Sequence, residues 1–178
     1  APTITGTSSI CEGNSASDWT PKSGVTWSSS DATVASVAIG ATLSGFKAGT
    51  VTITATDNST QCTSTKQVTV NPKPTISGTL TVCEGSTTSL TGTGTAATTS
   101  PWISANTANA SVSNTGIVTG VTGGNGTSDI TYTDNKGCSA KSTVTVNPIL
   151  FPTVTCGTST ATSVTFTWGA VTGATTYD

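Results

Sequence analysis

Apolar and hydroxyl-bearing residues alternate along much of this chain. Val51, Ile53 and Ala55 are interleaved with Thr50, Thr52, Thr54 and Thr56, and Ile130 and Tyr132 with Thr131 and Thr133. Val68-Thr69-Val70 and Val144-Thr145-Val146 keep the same period of two. Such alternation predicts antiparallel strands with one face in a core and one in water. Polar clusters such as Asp57-Asn58 and Asp134-Asn135-Lys136-Gly137 separate these runs and read as turns. No stretch holds helical spacing over three turns. Seven or so short strands in about 75 residues predict an all-β chain of sandwiches rather than a barrel.

The pattern occurs twice. Pro2-Thr3-Ile4 returns as Pro74-Thr75-Ile76, and Cys11-Glu12-Gly13 as Cys83-Glu84-Gly85. Trp27-Ser28 returns near Trp102-Ile103-Ser104, Cys62 as Cys138, and Val68-Thr69-Val70-Asn71-Pro72 as Val144-Thr145-Val146-Asn147-Pro148. Landmarks that keep their order mark a duplicated unit. Proline cannot donate to a ladder, so each Asn-Pro marks a boundary. The expected modules are 1–72 and 73–148, with Asn71-Pro72-Lys73-Pro74 as a short, stiff joint. Residues 149–178 break the pattern.

Composition explains how such strands stay soluble. Charged residues make up 8% of the 178 residues and the net charge is −2, while about a quarter of the chain is Thr. Thr is β-branched and polar, so it suits a wet strand face without charge. There is no basic stripe for nucleic acid. No apolar run approaches the roughly 20 residues that span a bilayer. A secretory leader is expected to have been removed or to lie upstream.

Five cysteines without histidine or a CxxC pair point to disulfides in an oxidising compartment rather than to zinc. The strand layout predicts one bridge per module, Cys11–Cys62 and Cys83–Cys138, tying one end of each sandwich. Loops of about 50 residues would give roughly 4 kcal/mol each as an idealised ceiling. Cys156 is left unpaired within the chain, its mate expected beyond Asp178.

No catalytic residue, metal site or cofactor is expected, and the chain is read as no enzyme. Glu12 and Glu84 are the tempting carboxylate pair, but they repeat with the module, which suits a local role beside the cysteine. Asp57 and Asp134 offer oxygens for calcium, yet two per turn fall short of the six to eight required, and they read as side-chain-capped turns. The core is expected to hold Trp27, Trp102, Ile53, Ile130, Tyr132 and Trp168. Trp19 has no counterpart in the second unit and reads as a half-buried strand end, or as a loop aromatic open to contact. Asn58, Asn109 and Asn125 lie in N-x-S/T sequences, a mark of surface loops.

The order Trp27-Ser28-Ser29-Ser30-Asp31, Val34-Ala35-Ser36-Val37 and Gly45-Phe46-Lys47-Ala48-Gly49-Thr50-Val51-Thr52-Ile53-Thr54 resembles bacterial Ig-like domains of the group 2 type. The second unit follows with Asn114-Thr115-Gly116-Ile117-Val118-Thr119-Gly120, where the first has Ile39-Gly40-Ala41-Thr42-Leu43, so its mid-module loop is expected to differ. The Cys-Glu-Gly motif and the turn cysteine resemble repeats of giant Bacteroidetes surface proteins, including gliding-motility adhesins exported by type IX secretion. Thr162 to Trp168, followed by Val171 to Asp178, resembles the opening of a fibronectin type III domain, in which Trp168 and Tyr177 would pack together. The resemblance implies a segment of an extracellular, cell-surface stalk, filament or adhesin. The alternative is an accessory linker or binding region of a large secreted polysaccharide-degrading enzyme. Expected partners are neighbouring modules, surface glycans or other cells, and further copies in a filament, which strand donation could join. Nucleic acid and membrane insertion are not expected.

Overall fold

The computed structural model describes residues 1–151, 154–160 and 162–169, without the side chains of Cys156 and Thr158. The strands of the first half are β1 (Ser9–Cys11), β2 (Ser15–Ala16), β3 (Val25–Ser29), β4 (Ala35–Ala38), β5 (Thr42–Gly45), β6 (Gly49–Asp57) and β7 (Thr63–Asn71). Those of the second are β8 (Ile76–Gly78), β9 (Thr81–Cys83), β10 (Thr87–Gly92), β11 (Trp102–Ser104), β12 (Ala110–Val112), β13 (Ile117–Gly120), β14 (Gly126–Thr133) and β15 (Ser139–Asn147). A hairpin of β16 (Val154–Ser159) and β17 (Val164–Trp168) follows. The chain is all-β, and no helix among the described residues is long and apolar enough to cross a membrane.

Each half is a sandwich. In the first, the sheet β1-β7-β6-β3 faces the sheet β2-β5-β4. Val51, Ile53, Val68 and Val70 from one sheet meet Ala35 and Leu43 from the other. In the second, β11-β14-β15-β9 faces β12-β13-β10-β8, with Ile130, Tyr132, Val144 and Val146 packed on Leu90, Ala110 and Val118. The apolar positions read from the period of two are the inward ones, and the interleaved Thr residues lie on the outer faces.

In the first half β1 runs parallel to β7, and in the second β9 runs parallel to β15. Cys11 is in register with Asn71, and Cys83 with Asn147. The remaining strand pairs of both sandwiches are antiparallel. Pairing at the far ends of β7 and β15 decides where the cysteines lie.

The aromatic core differs from expectation at three places. Trp19 is wholly buried, its Nε1–H donating to the Thr7 carbonyl at 3.0 Å and its ring set edge-on to Trp27 at 5.7 Å. Trp27 is only half-buried, because β3 is an edge strand with one flank open to water. Trp168 is 58% exposed, since β16 and β17 form a two-stranded sheet with no second layer among the described residues. Trp102, Ile53, Ile130 and Tyr132 are buried as expected, with Trp102 and Tyr132 at a centroid distance of 4.7 Å. Tyr177 lies outside the described residues.

The mid-module loops close with the same hydrogen bond but differ one residue earlier, where Gly40 has φ 86° and its counterpart Thr115 has no positive φ. The Ala41 N–H donates to the Ala38 carbonyl at 3.0 Å, and the Gly116 N–H to the Ser113 carbonyl at 3.0 Å. Ala41 takes the left-handed backbone (φ 63°) that Gly116 takes in the second half (φ 84°).

Candidate functional site

The distinctive chemistry lies where the two sandwiches meet. Cys11 is bonded to Cys138, with an S–S distance of 2.00 Å and a Cα–Cα distance of 5.5 Å, across a sequence separation of 127. The expected Cys11–Cys62 and Cys83–Cys138 pairs do not form, and Cys62 and Cys83 are exposed free thiols. The reason is where the cysteine strands lie along their partners. Cys11 stands beside the end of β7 at Asn71, whereas Cys62 precedes its start at Thr63. Nine residues of strand put those sites about 26 Å or more apart, while a disulfide needs Cα atoms within about 7 Å. The same holds for Cys83, beside Asn147, and Cys138, which precedes Ser139.

The β14–β15 turn is the natural neighbour of Cys11. The chain leaves β7 at Asn71, crosses four residues and enters β8 at Ile76. Such a linker reaches at most about 18 Å, and the β14–β15 turn comes back to this end of the second sandwich. An open groove of about 650 Å³ lies beside it, lined among others by Glu12, Phe46, Lys73, Pro74 and Lys141.

Both sides of the bridge are held by their own backbone. At the Cys-Glu-Gly corner, the Glu12 N–H donates to the Asn71 carbonyl at 2.9 Å and the Gly13 N–H to the Gly45 carbonyl at 2.9 Å. The Asn14 N–H donates to the Cys11 carbonyl at 3.0 Å, and the Gly45 N–H to the Asn14 carbonyl at 3.0 Å. Gly13 has φ 84°, a conformation that favours glycine and explains the third letter of the motif. At the turn, Oδ1 of Asp134 accepts from the backbone N–H groups of Lys136 (2.9 Å) and Cys138 (2.8 Å).

Asp57 and Glu84 also serve the backbone. Oδ1 of Asp57 accepts from the Ser59 hydroxyl at 2.7 Å and from the N–H groups of Ser59 and Thr60 at 2.9 Å. Those bonds, the Ser59 hydroxyl first, hold its pKa well below the usual carboxylate range. Glu84 accepts from the Gly123 N–H and, at 3.3 Å, from the Ile149 N–H. Among the described residues no three His, Cys, Asp or Glu side chains gather as metal ligands would. Asn58 and Asn125 are exposed and Asn109 is half-buried.

No protein-family model matches the chain, and no curated protein matches it. Among solved structures it is similar to invasin, a bacterial integrin-binding protein, at 20% identity and a TM-score of 0.45, over 76% of this chain and 33% of that one. It is similar to the C-terminal fragment of intimin, solved with the intimin-binding domain of the translocated intimin receptor, at 19% identity and a TM-score of 0.44, over 74% of this chain and 53% of that one. Domains 4 and 5 of the S-layer protein SbsC give 24% identity and a TM-score of 0.29, over 72% of each chain. The chain spans between a third and about half of the two adhesin chains, and the likeness is one of fold.

Proposed function

We propose that this chain is a load-bearing segment of an extracellular, cell-surface repeat protein, a stalk of adhesin or filament type. In this reading 1–72 and 73–148 are its modules, and 149–178 begins a third of fibronectin type III kind. One observation carries it: the Cys11–Cys138 bridge locks one sandwich to the next across a short, proline-containing joint. A bridge placed at a joint restrains the angle between bodies and diverts tension from the chain inside it. The carboxylates with described partners are spent on turns, corners and one surface ion pair, which fits a mechanical role. The bacterial surface-repeat resemblance of the Trp-Ser-Ser-Ser-Asp and Cys-Glu-Gly motifs points the same way.

Pulling the chain by its two ends tests the reading. The bridge encloses a sequence separation of 127 in a chain of 178 residues. About 420–460 Å of contour should therefore stay hidden under force and appear only after reduction. Equal extension of oxidised and reduced chains would refute it.

A further inference from the structure

Both partners of the bridge belong to the repeat. Cys11 corresponds to Cys83 and Cys138 to Cys62, so the bond joins the corner of one module to the turn of the next. The two remaining sites are built in the same way. At the second corner the Glu84 N–H donates to the Asn147 carbonyl (2.9 Å) and the Gly85 N–H to the Gly120 carbonyl (2.8 Å). The Ser86 N–H donates to the Cys83 carbonyl (3.0 Å), the Gly120 N–H to the Ser86 carbonyl (3.0 Å), and Gly85 has φ 73°. These four bonds and the left-handed glycine reproduce the frame around Cys11. At the first turn, the Asp57 N–H donates to the Cys62 carbonyl at 2.9 Å, as the Asp134 N–H does to the Cys138 carbonyl at 2.9 Å.

Burial separates the two copies of each feature. Cys138, at the junction, is 1% exposed, and its counterpart Cys62 is exposed. Cys11 is half-buried where Cys83 is exposed, and Asn71 is buried where Asn147 is exposed. The surfaces covered at the junction are thus presented again, uncovered, around Cys83 and Cys62. These two thiols cannot bond to each other within the chain. Each lies at the far end of a nine-residue strand from the junction, about 26 Å away on opposite sides.

We propose that Cys83 and Cys62 are the two coupling thiols of a module-to-module lock between copies of this chain, Cys83 of one copy bonding the turn cysteine Cys62 in the first module of another. The contact is head-to-tail, so it propagates without closing. The proposal rests on the stalk reading for the identity of the partner; the extension test above depends on Cys11–Cys138 alone and can succeed or fail independently.

With a glutathione disulfide as oxidant, one cysteine thiolate attacks it and releases a glutathione thiolate, leaving a mixed disulfide. The second cysteine thiolate then attacks the protein sulfur of that mixed disulfide and releases the other glutathione. The two cysteines lose two electrons and two protons, which leave as two glutathione thiols.

A complementation experiment tests the lock with a second copy of the chain as partner. In a Cys156→Ser background with the Cys11–Cys138 bridge intact, Cys62→Ser keeps only the Cys83 thiol, and Cys83→Ser keeps only Cys62. Each variant alone and an equal mixture are incubated with oxidised glutathione, then followed on non-reducing gels and by peptide mapping. The mixture should form a Cys83–Cys62 heterodimer about tenfold faster than either variant forms a homodimer, and urea should abolish the preference. Homodimers formed as fast as the heterodimer, or no heterodimer at all, would overturn the proposal. A Cys83–Cys156 bond in the otherwise unmutated chain would do so too.

Discussion

Trp19 offers the sharpest test of how the first sandwich is held together. Its side chain is fully buried between the two sheets, in contact with the Ile10, Leu43 and Val70 cluster and edge-on to Trp27. Lys66 lies 5.5 Å from the ring centroid and donates to the Gly6 carbonyl, covering the outer side. Burial of an indole removes roughly 200 Å² from water, worth about 5 kcal/mol. Trp19→Ala should cost about 3–5 kcal/mol for the lost packing and cavity, plus about 1 kcal/mol for the Thr7 carbonyl left without its donor. A module of roughly 70 residues has only about 3.5–10 kcal/mol to lose. The substitution should therefore leave the first sandwich largely unfolded or close to it. The second should stay folded, because its core cluster shares no residue with the first. Trp27→Ala, at an open edge strand, should cost no more than about 1–3 kcal/mol. Hydrogen exchange read separately on β6 and β14 distinguishes the two sandwiches. If Trp19→Ala leaves β6 protection within about tenfold of the parent chain, or if Trp27→Ala is the more damaging change, the reasoning is wrong.

Two further outcomes follow from the turns and the second core. The pKa values of Asp57, Asp31 and Asp129 are lowered in the fold, chiefly by hydrogen bonds from the hydroxyls of Ser59, Thr33 and Thr143 respectively. A lowered folded-state pKa stabilises the fold in full above the unfolded carboxylate value near 4, and that contribution disappears as pH falls further. The urea midpoint should accordingly be flat from neutrality to about pH 5 and drop below pH 4, and an unchanged midpoint at pH 2.5 would contradict the assignment. In the second sandwich, a Cβ added at Gly92 would lie 2.4 Å from the buried Tyr132 ring, which packs on Trp102 at a centroid distance of 4.7 Å and would have to shift. Gly92→Ala should destabilise that half by about 1–3 kcal/mol and leave the first half unaffected, as a two-transition thermal melt would show.

Much of the fold was legible from local pattern. A period of two places Val51, Ile53, Val68, Val144 and Ile130 on inward faces because neighbouring side chains of any strand point to opposite sides. The duplication was legible because equivalent landmarks keep their order, and the capped turns because an Asp side chain reaches backbone only two residues ahead. The shared local role expected of Glu12 and Glu84 was not what the fold uses: Glu84 reaches Gly123 and Ile149, 39 and 65 residues away in sequence, which no local pattern announces.

What the sequence could not supply was register and depth. On pattern alone, Ser9-Ile10-Cys11 pairs equally well with either end of β7. Pairing at the Thr63 end would bring Cys11 toward Cys62, whereas the observed pairing with Thr69–Asn71 brings it to the module junction. Trp19, without a repeat counterpart, carried no periodic signal, and only the meeting of two sheets around it made it core. Trp168 had the pattern of a core tryptophan, but a described hairpin of two strands offers nothing to bury it against. The sequence alone determined which residues form strands, and that the unit is repeated, because those depend on neighbours along the chain. Which cysteines bond, and hence that the covalent tie runs between modules rather than within them, depends on distances between residues far apart in sequence, and only the tertiary structure decided it.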